Sequence, residues 1–210
     1  MRKILWLGVL LTGVSLSAYA DITEPDALIK RTAQEVLDIV RQDKDIQAGN
    51  QKRVLELVDA KVLPHFNFTR MTRLAVGKHW RTATDQQKKS LETEFRNMLV
   101  RTYTKAFSTY RDQTVQTKPL KMTSDATEVT VKTVIVKPGT PSIPVDYDME
   151  KTADGWKVYD LIVEGVSLVT SYRSTFSEQI QKDGLDGLIK TLTEKNTTAA
   201  KASLNKADAK

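Results

Sequence analysis

Between Thr84 and Arg111 the apolar residues keep step with one helix face for longer than anywhere else in the chain. Leu91, Phe95, Met98, Leu99, Tyr103, Ala106, Phe107 and Tyr110 recur at steps of four, three and one, a single stripe at the 3.6-residue period. Thr84 and Gln87 have the spacing of a capping box, and Glu92 and Arg96 lie four apart in the favourable order for an outward ion pair. At ~1.5 Å per residue this helix would be roughly 40 Å long, enough to cross a small domain. Its stripe can serve as plain core or as the wall of a ligand site. What it packs against decides.

After Arg111 the period changes from 3.6 to 2. Val115, Thr117 and Leu120 suggest a first strand, with Pro119 suited to an edge. Val129, Val131, Thr133 and Ile135 alternate with Glu128, Thr130 and Lys132. Pro138-Gly139-Thr140-Pro141 is a turn, and Val145, Tyr147 and Met149 then alternate with Asp146, Asp148 and Glu150. Ala153-Asp154-Gly155 turns again into a fourth strand, Trp156 to Val163. Its inner face is ambiguous: Trp156, Val158 and Ile162 share one side, Tyr159, Leu161 and Val163 the other. We take Val158 and Ile162 as inward. Four strands with short connections imply an antiparallel meander whose apolar face the helices cover.

Upstream, Thr23 or Glu24 starts a helix with Pro25 in its first turn and Ile29, Ala33, Val36, Leu37 and Val40 inside, closed by Gly49. Asn50 caps a second helix carrying Val54, Val58 and Val62, which Pro64 stops. A third, capped near Asn67, carries Phe68, Met71, Leu74 and Ala75 and ends at Gly77. Downstream, Gly165 breaks the sheet pattern and a helix resumes with Val166, Leu168, Val169, Tyr172, Arg173, Phe176 and Ile180. Gly184 ends it, and a short helix with Leu185, Leu188, Ile189 and Leu192 follows. The Thr-, Ala-, Lys- and Asn-rich remainder reads as a disordered tail over residues 196–210.

The first twenty residues read as a cleaved signal peptide. Arg2 and Lys3 are the charged region, Ile4 to Leu16 the apolar one, and Ala18-Tyr19-Ala20 the cleavage site. The apolar run is shorter than the ~20 residues of a membrane span, so the mature chain is expected to be exported without one. Residues 21–195 then form a single domain, large enough for a core without disulfides, and the chain has no cysteine. Two of the 32 Lys and Arg lie in the leader, so the rest exceed the 26 Asp and Glu by only four. No basic block of the kind that binds nucleic acid is present.

Catalytic motifs are missing. The two histidines, His65 and His79, lack metal-ligand spacing, Ser167 lacks the second glycine of a nucleophile elbow, and no phosphate-binding glycine loop occurs. Asp146, Asp148 and Glu150 share a strand face that reads as solvated, so no metal site is expected. Asp160 interrupts an apolar strand. It is the one acidic candidate for an acid–base role.

Two segments resemble the MlaC family, periplasmic phospholipid-binding components of the Mla pathway, also called toluene-tolerance auxiliary proteins. One is LPHFNFTRMTRLAVGKHWRTATDQQKKSLETEFRNMLVRTY, Leu63 to Tyr103; the other is GWKVYDLIVEGVSLVTSYRSTFSEQI, Gly155 to Ile180, with DGLDGL from Asp183 to Leu188. The most specific part is Tyr159 to Ser167. The resemblance implies an α+β fold of the nuclear-transport-factor-2-like kind, with N-terminal helices and one long helix packed on a curved four-stranded sheet and helices at the C-terminus. It implies a periplasmic shuttle with no catalytic residue and no cofactor beyond its phospholipid cargo. Its partners would be an outer-membrane lipoprotein–porin complex of the MlaA type and an inner-membrane ABC permease with an MCE ring, of the MlaFEDB type. The role would be to maintain outer-membrane lipid asymmetry.

On that reading the acyl chains lie against Leu99, Tyr103 and Phe107 of the long helix and Val131, Ile135, Val145, Tyr147, Val158 and Ile162 of the sheet. Leu74, Val76 and Trp80 would gate one side, and Val166, Leu168, Val169 and Tyr172 close the other. The headgroup would sit near Lys78 or Arg173. The alternative is a small-molecule enzyme of the same fold, an isomerase or hydratase using Asp160 in the pocket.

Overall fold

A computed structural model describes residues 23–107 and 112–207, except for the side chains of 105–107 and 202–207. The expected signal peptide, residues 1–20, and the expected helix turn through Tyr110 and Arg111 lie outside the described residues.

The first helix, α1, spans Pro25–Gln42. It was expected to reach Gly49 but stops at Asp43, whose carboxylate accepts from the backbone N–H groups of Asp45 and Ile46 at 3.0 and 3.1 Å. That cap starts the short α2, Lys44–Gln47. Helix α3, Gln51–Lys61, is capped by Asn50, and Pro64 lies in the 3₁₀ turn Leu63–His65 that follows. Helix α4, Phe68–Val76, is capped by Asn67 and ends at Gly77, whose φ of +63° no ordinary side chain adopts without strain. The long helix α5 spans Asp85–Phe107. Its capping box forms as expected, Thr84 and Gln87 each accepting from the other's backbone N–H at 3.2 and 3.0 Å. The expected Glu92–Arg96 pair does not. Arg96 instead reaches Asp59 of α3 at 2.6 Å, and Glu92 accepts from Thr69 at 2.7 Å, so both side chains tie α5 to neighbouring helices.

The sheet is antiparallel and open, in the order β1 (Thr114–Thr117), β2 (Glu128–Val136), β3 (Ile143–Thr152), β4 (Gly155–Val163) and β5 (Val166–Ser167). The fifth strand was not foreseen. Glu164 and Gly165 both have positive φ, 52° and 83°. This suits a two-residue hairpin turn, and Val166 pairs with Val163 instead of starting a helix. Helix α6 then runs Leu168–Ala207, interrupted at Gly184 with φ +72°. The chain from Asn196, expected to be disordered, continues this helix. Asn196 is buried and donates to the carbonyl and carboxylate of Glu94 at 2.9 and 2.7 Å, tying it to α5.

Two positions on β4 carry most of the architecture. Asp148 pairs with Asp160 but Met149 pairs with Val158, so Tyr159 is an extra residue, a β-bulge. On the open edge beside it, the N–H of Asn67 donates to the carbonyl of Val158 at 2.8 Å. The segment before α4 therefore continues the sheet where β5 does not reach.

The apolar residues collect in three clusters. Leu91, Phe95 and Leu99 of α5 meet Met71, Ala75 and Val76 of α4 and Val169, Phe176, Ile180, Leu188 and Leu192 of α6. Phe95 makes edge contacts with Tyr172 and Phe176 at centroid distances of 5.3 and 5.2 Å. Leu28 and Ile29 cover Val131, Met149, Trp156 and Val158 at one end of the sheet. Val36, Val40, Ile46, Val54, Leu57 and Val58 join α1, α2 and α3.

Candidate functional site

The three clusters do not fill the space between them. A cavity of about 270 Å³ lies between the inner face of the sheet, α1, the α3–α4 segment and the C-terminal half of α5. Its wall comes from Ile29, Val36 and Val40 of α1, Val62, Leu63, Phe66 and Met71 of the α3–α4 region, and Leu99, Val100 and Tyr103 of α5. The sheet adds Val115, Ile135, Val145, Tyr147, Val158, Leu161 and Val163, and Leu168 closes the start of α6. No Asp, Glu, Lys or Arg lines it. Native interiors normally close-pack such side chains, so an apolar void of this size is a chamber kept open at a cost in stability.

The expected site residues divide. Leu99, Tyr103, Ile135, Val145, Tyr147, Val158 and Leu168 meet at the wall. Val131 faces the same way but is fully buried beneath Leu28 and Ile29. Val76 and Val169 belong to the packed helical cluster, with Leu74, Trp80 and Tyr172 against it; none gates the cavity. Val166 is 58 % exposed on β5. The side chain of Phe107 lies outside the described residues. Ile162 is a correction: the bulge at Tyr159 reverses the alternation, so Val158, Leu161 and Val163 all face the cavity and Ile162 does not. An inserted residue in a paired strand leaves no trace in the strand's own sequence. The α1 side chains were recognised as apolar, but their role in the wall depends on where α1 crosses the sheet.

Asp160 is not in the wall. Its carboxylate accepts from the N–H groups of Leu161 and Val169 at 2.8 and 3.1 Å and from the Ser167 hydroxyl. Ser167 in turn accepts from the N–H of Thr170 at 3.0 Å. Asp160 thus joins β4 to the first turn of α6, where an anion suits the helix dipole. The carboxylates on the outer sheet face have partners as well: Asp148 accepts from Thr130 at 2.7 Å, and Glu150 meets Arg70 at 2.6 Å and Asn67 at 2.7 Å. Among the described residues no cluster of three or more His, Cys, Asp or Glu could hold a metal ion.

Lys78 and Arg173, the suggested headgroup partners, line a separate polar groove with Gly77, His79, Ser174, Ser177 and Glu178. None of these residues lines the apolar cavity. The guanidinium of Arg173 lies over Gly77, 3.2 Å from where a β-carbon would stand.

An open antiparallel sheet closed by helices over an uncharged chamber defines an α+β domain organised around an apolar cavity. The MlaC protein family model matches residues 30–194, and the chain belongs to this family. It is 25 % identical over 179 residues to the toluene tolerance protein ttg2D of Pseudomonas putida, covering 85 % of this chain and 82 % of that protein. It is 21 % identical over 179 residues to the intermembrane phospholipid transport system binding protein MlaC of Haemophilus influenzae, covering 84 % and 83 %. A phospholipid-binding protein from Ralstonia solanacearum, solved in complex with a phospholipid, matches with a TM-score of 0.78 and 36 % identity over 83 % of this chain and 98 % of that one.

Proposed function

We propose that this protein is a periplasmic carrier that holds a phospholipid by its acyl chains and shuttles it between outer- and inner-membrane complexes. The observation that carries the reading is the chamber itself, whose wall holds no charged side chain, in a fold matched to a protein solved with a phospholipid bound. Leu99, Tyr103, Ile135, Val145, Tyr147, Val158 and Leu168, joined by Leu161 and Val163, would contact the chains. Export would follow cleavage after Ala20. Among the described residues no helix is long and apolar enough to cross a membrane.

Two acyl chains hold ~30 methylenes at ~0.8 kcal/mol each, so release into bulk water is opposed by roughly 20 kcal/mol. Exchange therefore occurs while docked, at an outer-membrane lipoprotein–porin complex of the MlaA type and an inner-membrane permease of the MlaFEDB type. Any ATP hydrolysis belongs to the partner. That traffic would maintain outer-membrane lipid asymmetry. The enzyme reading is disfavoured because Asp160, its one acidic candidate, is committed to the β4–α6 junction outside the cavity.

Native mass spectrometry of the purified protein tests the proposal. A co-purified phospholipid is expected; a bare chain that takes up none from phospholipid vesicles would sink it.

A further inference from the structure

The wall of the cavity holds no Asp, Glu, Lys or Arg, yet basic residues lie close behind one stretch of it. His65 lines the cavity. The ammonium of Lys157 is anchored on the carbonyl of the preceding residue, Pro64, at 2.7 Å. Thr32 and Ala33 of α1 line the same cavity and, like Leu63 and His65, are only half-buried, so the cavity comes near the surface between α1 and the 3₁₀ turn. Glu35, one turn further along α1, meets Lys61 at the end of α3 at 2.5 Å. Arg31 lies four residues before Glu35, on the same helix face, and His65 lies four residues after Lys61. Arg31 lies near enough to His65 for its charge to act on the imidazole, as Lys157 does. Arg31 is exposed and has no hydrogen-bond or ion-pair partner among the described residues. Arg31 and Lys157 thus flank the His65 part of the wall from outside the cavity, with the Lys61–Glu35 pair beside them.

We propose that the cavity opens between α1 and the 3₁₀ turn and that Arg31, His65 and Lys157, with Lys61 behind them, form a phosphate-recognising rim there. The proposal rests on the carrier reading and deepens it: the acyl chains enter past Thr32 and Leu63, and the phosphate stops at the rim. A phosphate carried into the cavity would have no partner there, whereas at the rim it keeps water and gains charge-assisted hydrogen bonds. The rim reads the phosphate shared by phospholipids, not the alcohol esterified to it. Free inorganic phosphate offers the same chemistry, so the experiment must separate the two.

The test compares loading of phosphatidylglycerol and of diacylglycerol with identical chains, read by native mass spectrometry on the wild type and on Arg31→Glu, His65→Ala and Lys157→Ala. The wild type should prefer the phospholipid, and Arg31→Glu should lower that preference about tenfold while diacylglycerol uptake stays unchanged. Arg31 is exposed, so its replacement leaves the core untouched; unchanged far-ultraviolet circular dichroism verifies this. Equal loading of the two lipids by the wild type, or a preference that survives all three substitutions, overturns the rim and leaves the carrier reading standing. If neither lipid loads, the carrier reading fails. The rim then stands only if inorganic phosphate shifts the His65 imidazole resonances of the wild type and not those of Arg31→Glu, which would make free phosphate the ligand; no shift overturns it.

Discussion

The guanidinium of Arg70 lies over the ring of Tyr159, 3.6 Å from its centroid, and the same guanidinium meets Glu150 at 2.6 Å and Glu128 at 2.7 Å. Tyr159 is the bulged residue of β4, and its hydroxyl donates to Glu128 at 3.2 Å. The insertion that turns Leu161 and Val163 into the cavity therefore also supplies the ring on which α4 is fastened to the outside of the sheet. One local irregularity shapes both faces.

Arg70→Ala should destabilise the protein by about 2 kcal/mol in urea unfolding, because it strips a mostly buried Glu150 of its strongest partner. Arg70→Lys should recover only part of that, since an ammonium cannot stack on the ring and serve two carboxylates in a fork. Full recovery by lysine would show that charge alone matters.

Burial, followed by the charges of Asp148 and Glu128, pushes the Tyr159 phenol up to about 12. The unfolded phenol ionises near 10, so the unfolded state loses its proton first as pH rises. This contribution to stability is intact below pH 10 and is lost between about 10 and 12. Spectrophotometric titration should show a late tyrosine fraction that shrinks in Tyr159→Phe. Tyr172, also raised to about 12 by burial and by Tyr103, should account for the remainder.

Burial lowers the pKa of His65 below its ordinary 6.5, and Lys157 and then Arg31 reinforce the shift against the opposing Glu35. An unfolded chain then takes up this proton before the folded one does. Stability should fall as pH drops below about 6.5 and level off beneath the folded value. In His65→Gln the slope of unfolding free energy with pH across this window should flatten; an unchanged slope would assign it to other groups.

Asp160→Ala should cost about 2 kcal/mol, since it leaves the N–H of Val169 without its acceptor and removes the tie from β4 to α6. Thermal unfolding measures the loss. Lipid loading at a temperature where the variant is folded should persist. Its selective disappearance would place Asp160 in ligand binding after all.

Side chains enlarged into the cavity should block loading. Leu99→Trp and Leu161→Trp each fill the void, at about 1–3 kcal/mol of strain, and native mass spectrometry should find them bare. Ile162→Trp, one residue along β4 but turned away from the cavity, should load normally. Equal behaviour of the Leu161 and Ile162 variants would contradict the bulged register.

Periodicity made the helices and the meander legible, because each element's inward face recurs at the period of its own backbone. Asn50, Asn67 and Thr84 announced helix starts because a capping side chain acts within three residues of itself. Asp43 does the same for α2, but it stands inside a longer apolar pattern that reads as one helix. The wall was half legible. Alternation placed Ile135, Val145 and Tyr147 on the correct face, and the stripe of α5 placed Leu99 and Tyr103.

What the sequence determined by itself is the main helices and the four-strand meander, the apolar faces of most of them, the lack of catalytic motifs and the resemblance that pointed to the family. The stripe of α5 held a choice it could not make. Leu91 and Phe95 became close-packed core and Leu99 and Tyr103 a cavity wall, because α4 and α6 cover the first pair and nothing fills the space beside the second. The side of β4 that faces the cavity was likewise decided only by pairing with β3, where Tyr159 is left over. Local propensity is written within a few residues. A void is defined by the elements around it, and it exists only once they have packed.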